Sequence, residues 1–153
     1  MAKRLLSGVP GLQLLMTLST GAETILVVED VEVIRKMVCA MLLQGGYTVL
    51  EAGDGKEALR ILSQSGPVHL VLTDLIMPHM NGTELALHVS QRHPSLPVIF
   101  MSGYNEDPVV RGVECAGSMF LAKPFTAAAL ADKIRQALDR PRNDSPGASL
   151  DPR

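Results

Sequence analysis

Asp74 closes a run that reads as a buried strand, Val68-His69-Leu70-Val71-Leu72-Thr73, and Met77-Pro78 follows three residues later. A carboxylate at the carboxyl end of a strand stands where open α/β sheets bind ligands. Glu29 and Asp30 close an earlier apolar run, Thr24-Ile25-Leu26-Val27-Val28. Ser102 follows Val98–Met101, and Lys123 stands just past Ser118–Leu121. If these strands are parallel, three acids, a hydroxyl and an ammonium converge on one rim. Clustered carboxylates repel and raise each other's pKa unless a cation intervenes. Mg²⁺ suits such a set, because it is held by few carboxylates together with waters and a phosphate. With the fixed charge of Lys123 added, the rim is suited to a phosphoryl group. Asp74 is then the nucleophile, forming an acyl phosphate.

The elements that position these residues alternate between two periods. Thr24–Val28 is apolar throughout, as a strand covered on both faces should be. Val31 to Gln44 is long enough for three turns of helix, and Gly45-Gly46 ends it. Tyr47–Glu51 reads as a second strand, and Asp54 to Ser65 as a helix with Ala58, Leu59, Ile61 and Leu62 at helical spacing. Val68–Thr73 is the third strand, and Thr83 to Arg92 the next helix, after Asn81-Gly82. Val98–Met101 is the fourth strand. Pro108, Gly112 and Gly117 then limit the fourth helix to a short one. Ser118–Leu121 is the fifth strand, and Thr126 caps a last helix, Ala127 to Asp139. Strict alternation of strand and helix implies parallel βαβ units with right-handed crossovers and helices on both faces.

The chain has 153 residues, the size of one domain, and 46% are apolar. Aromatic residues make up 3% and Trp is absent, so aliphatic side chains must fill the core. A formal charge of −2 offers no broad basic surface for nucleic acid. Two cysteines make no disulfide framework. Cys39 reads as a buried helical residue, and Cys115 has no metal-ligand spacing around it. His69, His79, His88 and His93 also lack such spacing and read as surface or partly buried residues. Met37 and Met41 read as core, and Lys133, Arg135 and Arg140, with Asp132 and Asp139, as a solvated helix face. Lys3, Arg4, Leu5 and Leu6 loosely imitate the start of a signal peptide, but Ser7, Gly8, Pro10, Gly11 and Gln13 break the apolar stretch. Residues 1–22 are therefore read as an extension or linker, residues 23–140 as the domain, and residues 141–153, with three prolines, as a disordered tail. A cytoplasmic protein without a membrane span is the expectation.

Four segments carry a resemblance. Ile25-Leu26-Val27-Val28-Glu29-Asp30, Leu72-Thr73-Asp74-Leu75-Ile76-Met77-Pro78, Met101-Ser102-Gly103-Tyr104 and Lys123-Pro124-Phe125 occur in that order, with Gly53-Asp54-Gly55 and Asn81-Gly82 between them. From about Glu23 to Arg140 the chain resembles the receiver domain of bacterial two-component response regulators. The wording around Ser102 and from Phe120 to Thr126 is most similar to receivers fused to hybrid sensor histidine kinases.

The resemblance implies a (βα)₅ flavodoxin-like, doubly wound parallel sheet with strand order 2-1-3-4-5. It implies that Asp74 accepts a phosphoryl group from a histidine kinase or histidine phosphotransfer protein. Mg²⁺ (or Mn²⁺) is then held by Asp30, Asp74, the backbone carbonyl of Ile76 and Glu29, the last directly or through water. Lys123 pairs with one phosphoryl oxygen and Ser102 swings to another. Phe120 matches the aromatic switch position, without the hydroxyl of the Tyr common there. Their movement reaches the surface of the fourth helix, fifth strand and fifth helix, to be read by a downstream protein or by a second copy of the chain. Bulky groups at Ile76 and Tyr104 are expected to slow autodephosphorylation. No output domain follows Arg140, so direct DNA binding is not expected, and a free-standing receiver or a piece related to a hybrid kinase is. The reading is of a signalling phosphoacceptor rather than an enzyme. The alternatives are a pseudo-receiver that only binds a partner and an aspartyl-phosphate phosphohydrolase; the latter wants an Asp-x-Asp pair on its first strand, whereas Ile76 stands two residues after Asp74.

Overall fold

The computed structural model describes residues 23–103 and 119–140. The expectations for residues 1–22 and 141–153, for the short fourth helix, and for Tyr104 and Cys115 lie outside the described residues. The elements are β1 (Thr24–Val28), α1 (Glu32–Gln44), β2 (Thr48–Ala52), α2 (Gly55–Gln64), β3 (Leu70–Asp74), α3 (Gly82–Arg92), β4 (Val98–Ser102), β5 (Met119–Ala122) and α4 (Ala127–Asp139). The strands form one parallel sheet in the order β2-β1-β3-β4-β5. Alternation accounts for the parallel βαβ units, and the strand order is that of the flavodoxin-like doubly wound fold that the resemblance implies.

The continuous apolar runs have the burial expected of them. Along β1, Ile25 and Val27 face one core with Val38 and Leu42 of α1 and Leu130 and Ile134 of α4. Leu26 and Val28 face the other core, with Ala58 and Leu62 of α2 and Leu85 and Val89 of α3. Side chains on a strand alternate between faces, so a run with no polar position is required to fill both layers.

Local chemistry sets the helix starts. Asp54 Oδ1 accepts the Glu57 N–H at 2.8 Å, and Glu57 Oε2 accepts the Gly53 N–H at 2.8 Å. Asn81 Oδ1 accepts the Glu84 N–H at 2.9 Å, and Thr126 Oγ1 accepts the Ala129 N–H at 3.1 Å. Each cap satisfies an amide that the first helical turn leaves open. At the end of α1, Gly46 takes a φ of 85°, the left-handed value that favours glycine. No helix among the described residues is long and apolar enough to cross a membrane.

Several expectations need correction. β2 begins one residue later than the periodicity suggests, and β3 begins two residues later. β3 and β4 each extend one residue further, so Asp74 and Ser102 are themselves the last strand residues. α1 begins at Glu32, because Val31 takes the extended conformation of an N-cap, with its N–H donating to Glu29 Oε1 at 3.2 Å. Cys39 is buried and Met41 packs on the core, but Met37 is half exposed. α1 carries more apolar side chains than one inward stripe accommodates, and Met37 lies off the line of Val38 and Leu42. Arg135 is not simply solvated: it reaches Glu23 Oε1 at 3.3 Å and Asp139 Oδ1 at 3.6 Å, tying α4 to the residue before β1. His79 is exposed, and His69, His88 and His93 are half-buried, as expected. His69 also has a structural role, since its Nδ1 accepts the Thr24 N–H at 2.9 Å.

Candidate functional site

The sheet register brings the chemistry together. Val28 pairs with Thr73, so Glu29 and Asp74 leave neighbouring strands side by side. Asp74 pairs with Met101, and Ser102 pairs with Ala122, which places Ser102 and Lys123 at the ends of the next two strands. The Lys123 N–H donates to the Ser102 carbonyl at 2.7 Å, locking the exit of β5 to the exit of β4. The Lys123–Pro124 peptide is cis.

Glu29, Asp30 and Asp74 each offer a carboxylate oxygen, and these oxygens lie within 4.8 Å of one another. Glu29 is fully buried, Asp74 is half-buried and Asp30 is exposed, so the group grades from core to solvent. Lys123 Nζ lies 2.7 Å from Glu29 Oε2 and 3.3 Å from Asp74 Oδ1. Asp74 Oδ1 also accepts the Leu75 N–H at 2.9 Å. Burial pushes the Glu29 carboxyl above the ordinary carboxylate range; the hydrogen bond from Lys123 opposes this, and the neighbouring charge of Asp74 adds to it. Lys123 offsets one of the three negative charges, so the set fits a divalent cation with hard oxygen ligands.

The supporting residues include some that sequence reasoning missed. The Arg35 guanidinium donates from Nη1 to the Glu29 carbonyl at 2.8 Å and pairs through Nε with Glu51 Oε1 at 3.2 Å. Glu51 also takes Lys36 Nζ at 2.9 Å. Gly82 is required by packing: a Cβ there would run into the Asp74 carbonyl oxygen and stand 3.0 Å from Leu75 Cα. Asn81-Gly82 signalled a turn, but not that the turn presses on the backbone of Asp74. Ile76 lies in the same loop with its side chain 65% exposed. Phe120 is not isolated on its strand. It stacks on Phe100 at 5.4 Å between ring centroids and 28° between planes, against a small cluster with Leu75 and Ala86. Phe100 and Leu75 therefore connect the position after Asp74 with the aromatic residue of β5.

Two adjoining clefts of about 590 and 460 Å³ lie away from this rim and share His69, Pro94, Ser95 and Leu96. None of the three acids nor Lys123 lines them. The three acids and Lys123 lie instead at the carboxyl edge of the sheet.

Comparison with known proteins agrees with this geometry. The family model described as "Response regulator receiver domain" matches residues 25–135. The sensor kinase CckA of Brucella abortus (strain 2308) is 37% identical over 123 residues, which is 79% of this chain and 13% of the kinase. The crystal structure of the receiver domain of hybrid histidine kinase CckA is 36% identical, with a TM-score of 0.63, over 75% of this chain and 98% of that one. The response regulator TrrA of Thermotoga maritima, in complex with Mg²⁺ and BeF, is 27% identical, with a TM-score of 0.69, over 76% of this chain and all of that one. The chain spans about half the length of the curated response regulators it matches.

A doubly wound parallel sheet with clustered acids and a lysine on its carboxyl edge is the arrangement of a receiver-type signalling module. The chain belongs to the response regulator receiver domain family of two-component systems.

Proposed function

We propose that residues 23–140 are a phosphoacceptor module in which Asp74 takes a phosphoryl group from a phosphohistidine of a kinase or phosphotransfer protein. In that step an Asp74 carboxylate oxygen forms the bond to phosphorus and the bond from phosphorus to the imidazole nitrogen breaks. The imidazole leaves with that electron pair. Glu29, Asp30 and Asp74, with the Ile76 carbonyl, would hold Mg²⁺, which supplies charge neutralisation for the phosphoryl oxygens. Lys123 turns its ammonium to the phosphoryl group, and Ser102 donates a hydrogen bond to a second oxygen. Phe120 follows Ser102 and carries the change to the outer face of β5 and α4, for a downstream protein in the cytoplasm to read. The chain acts as a switch, not as an enzyme with a separate substrate.

The observation that carries this reading is the position of Lys123 Nζ, shared between Glu29 and Asp74 within the acidic group. A cation held between two strand ends beside a reachable carboxylate is what an acyl phosphate needs. Incubation with a phosphoramidate and Mg²⁺ tests it by intact mass. A gain of roughly 80 Da, lost in Asp74→Ala, is expected for a phosphoryl group on that nucleophile. A chain that gains no mass under any condition would instead be a partner-binding pseudo-receiver.

A further inference from the structure

Arg35 lies on α1, outside the acidic group, yet it grips the backbone from which two of the three acids project. Its Nη1 donates to the Glu29 carbonyl at 2.8 Å. Its Nε pairs with Glu51 Oε1 at 3.2 Å, and the side chain is only 16% exposed. Glu51 is itself held by Lys36 at 2.9 Å; that hydrogen bond, followed by the one from Arg35, keeps its carboxyl below the ordinary range. The guanidinium is thus seated between the ends of β1 and β2, with Gly53 beside it: a Cβ at Gly53 would lie 3.6 Å from Nη1.

The gripped carbonyl belongs to the peptide that joins Glu29 to Asp30. The Glu29 side chain has its own anchors, Lys123 at 2.7 Å and the Val31 N–H at 3.2 Å. Asp30 is exposed, so the direction of its carboxylate depends on the backbone that carries it. Rotation of the 29–30 peptide would turn Asp30 away from Asp74 and open the 4.8 Å grouping of acid oxygens.

We propose that Arg35 is a positioning residue for the divalent-cation site: its two-pronged grip on Glu51 and the Glu29 carbonyl fixes the peptide that aims Asp30. The inference rests on the reading of Glu29, Asp30 and Asp74 as cation ligands. It requires the rigid fork of a guanidinium, because a single ammonium lacks the two separate, fixed donors that reach both acceptors.

The sign of the effect separates positioning from simple charge. Arg35 is a cation near an acidic site, so on charge alone its removal would tighten divalent-cation binding. A positioning role predicts the opposite. Outer partners of metal ligands are commonly worth about 10-fold to 100-fold in metal affinity.

Mn²⁺ titration followed by electron paramagnetic resonance, without any phosphodonor, reads this directly. Relative to the wild-type chain, Arg35→Met and Arg35→Lys are both expected to bind Mn²⁺ about 10-fold more weakly or worse. Glu51→Gln, which removes no ligand, is expected to shift affinity in the same direction by less. Arg35→Met binding as tightly as wild type, or more tightly, overturns the proposal, as does full recovery in Arg35→Lys. Where circular dichroism shows that the Met variant does not fold, the Lys variant, which keeps stem and charge, decides alone. Absence of Mn²⁺ binding by the wild-type chain would instead remove the reading of the acids as ligands, and the inference with it.

Discussion

Lys123 holds Glu29 more closely than it holds Asp74, 2.7 Å against 3.3 Å. The lysine at the rim is thus first the counter-ion of a fully buried glutamate and only second the neighbour of Asp74. On the proposed function, stability and phosphoryl chemistry share one ammonium, and the two can be separated experimentally.

Replacing Lys123 with Met leaves Glu29 buried beside Asp74 without a counter-charge. Breaking such a pair costs about 3 kcal/mol at neutral pH. Glu29 can escape the penalty by taking up a proton, so the loss is expected to shrink on acidification. Urea unfolding of wild type and Lys123→Met at pH 7.5 and pH 5 checks this, by midpoint and slope. Equal losses at both values would sink the account.

Glu29 has its carboxyl raised, chiefly by burial. The native state therefore retains a proton that the unfolded state has lost, over the interval from the ordinary glutamate pKa up to the raised one. Stability from this group is present below that interval and is lost as pH rises through it. Without divalent cation, the melting temperature of Glu29→Gln relative to wild type is expected to climb across the interval. Excess Mg²⁺ is expected to stabilise wild type above it, since only the ionised carboxylate accepts the metal. A flat difference between the two proteins over this range would contradict the assignment.

Gly82→Ala forces a methyl group against the Asp74 carbonyl. Overpacking of this kind costs about 1–3 kcal/mol. Because the strain falls on the backbone of Asp74, the proposed phosphorylation by phosphoramidate is expected to slow in the variant at temperatures where it is fully folded. A destabilised protein with an unchanged phosphorylation rate would show that the turn relaxes away from Asp74.

The exposed apolar side chain of Ile76 stands two residues past Asp74. On the proposed acyl phosphate, Ile76→Asn and Tyr104→Glu are expected to supply groups able to orient a hydrolytic water. Each is expected to shorten the life of the acyl phosphate about tenfold, which corresponds to ~1.4 kcal/mol of barrier. The decay of the phosphorylated mass with time measures it, and unchanged lifetimes in both variants defeat the idea.

Burial pushes the Cys39 thiol up to about 11. Its thiolate is scarce near neutral pH, and the thiolate is the reactive form. In native protein at pH 8, the peptide carrying Cys39 is expected to stay unalkylated by iodoacetamide for hours and to react within minutes in urea. Rapid native labelling would show that the helix opens.

The strand ends were legible because their signal is local: an unbroken aliphatic run followed by an acid, a serine or a lysine. The parallel sheet then follows from alternation, and with it the convergence of Glu29, Asp74, Ser102 and Lys123 on one edge. What periodicity missed depends on tertiary neighbours. Arg35 looks like any polar residue of an amphipathic helix until β1 and β2 are laid beside it. Met37 shows the converse error. An apolar side chain at helical spacing invites a place in the core, but burial is a one-way rule and the surface keeps many apolar atoms. β3 begins at Leu70, although Val68 and His69 fit the apolar run. The His69 N–H still bonds the Thr24 carbonyl at 2.8 Å while its ring accepts from Thr24, so a side chain takes over where the ladder would start.

Glu29 and Lys123 are 94 positions apart in the chain, and the hydrogen bond between them joins its first strand to its last. A contact spanning nearly the whole domain closes a long loop, and its entropic cost is repaid only with the other contacts of the fold. A nascent chain that has emerged only as far as Asp74 has its acids but not its ammonium. Because Lys123 directly follows β5, the ammonium reaches the acids only once all five described strands have been made.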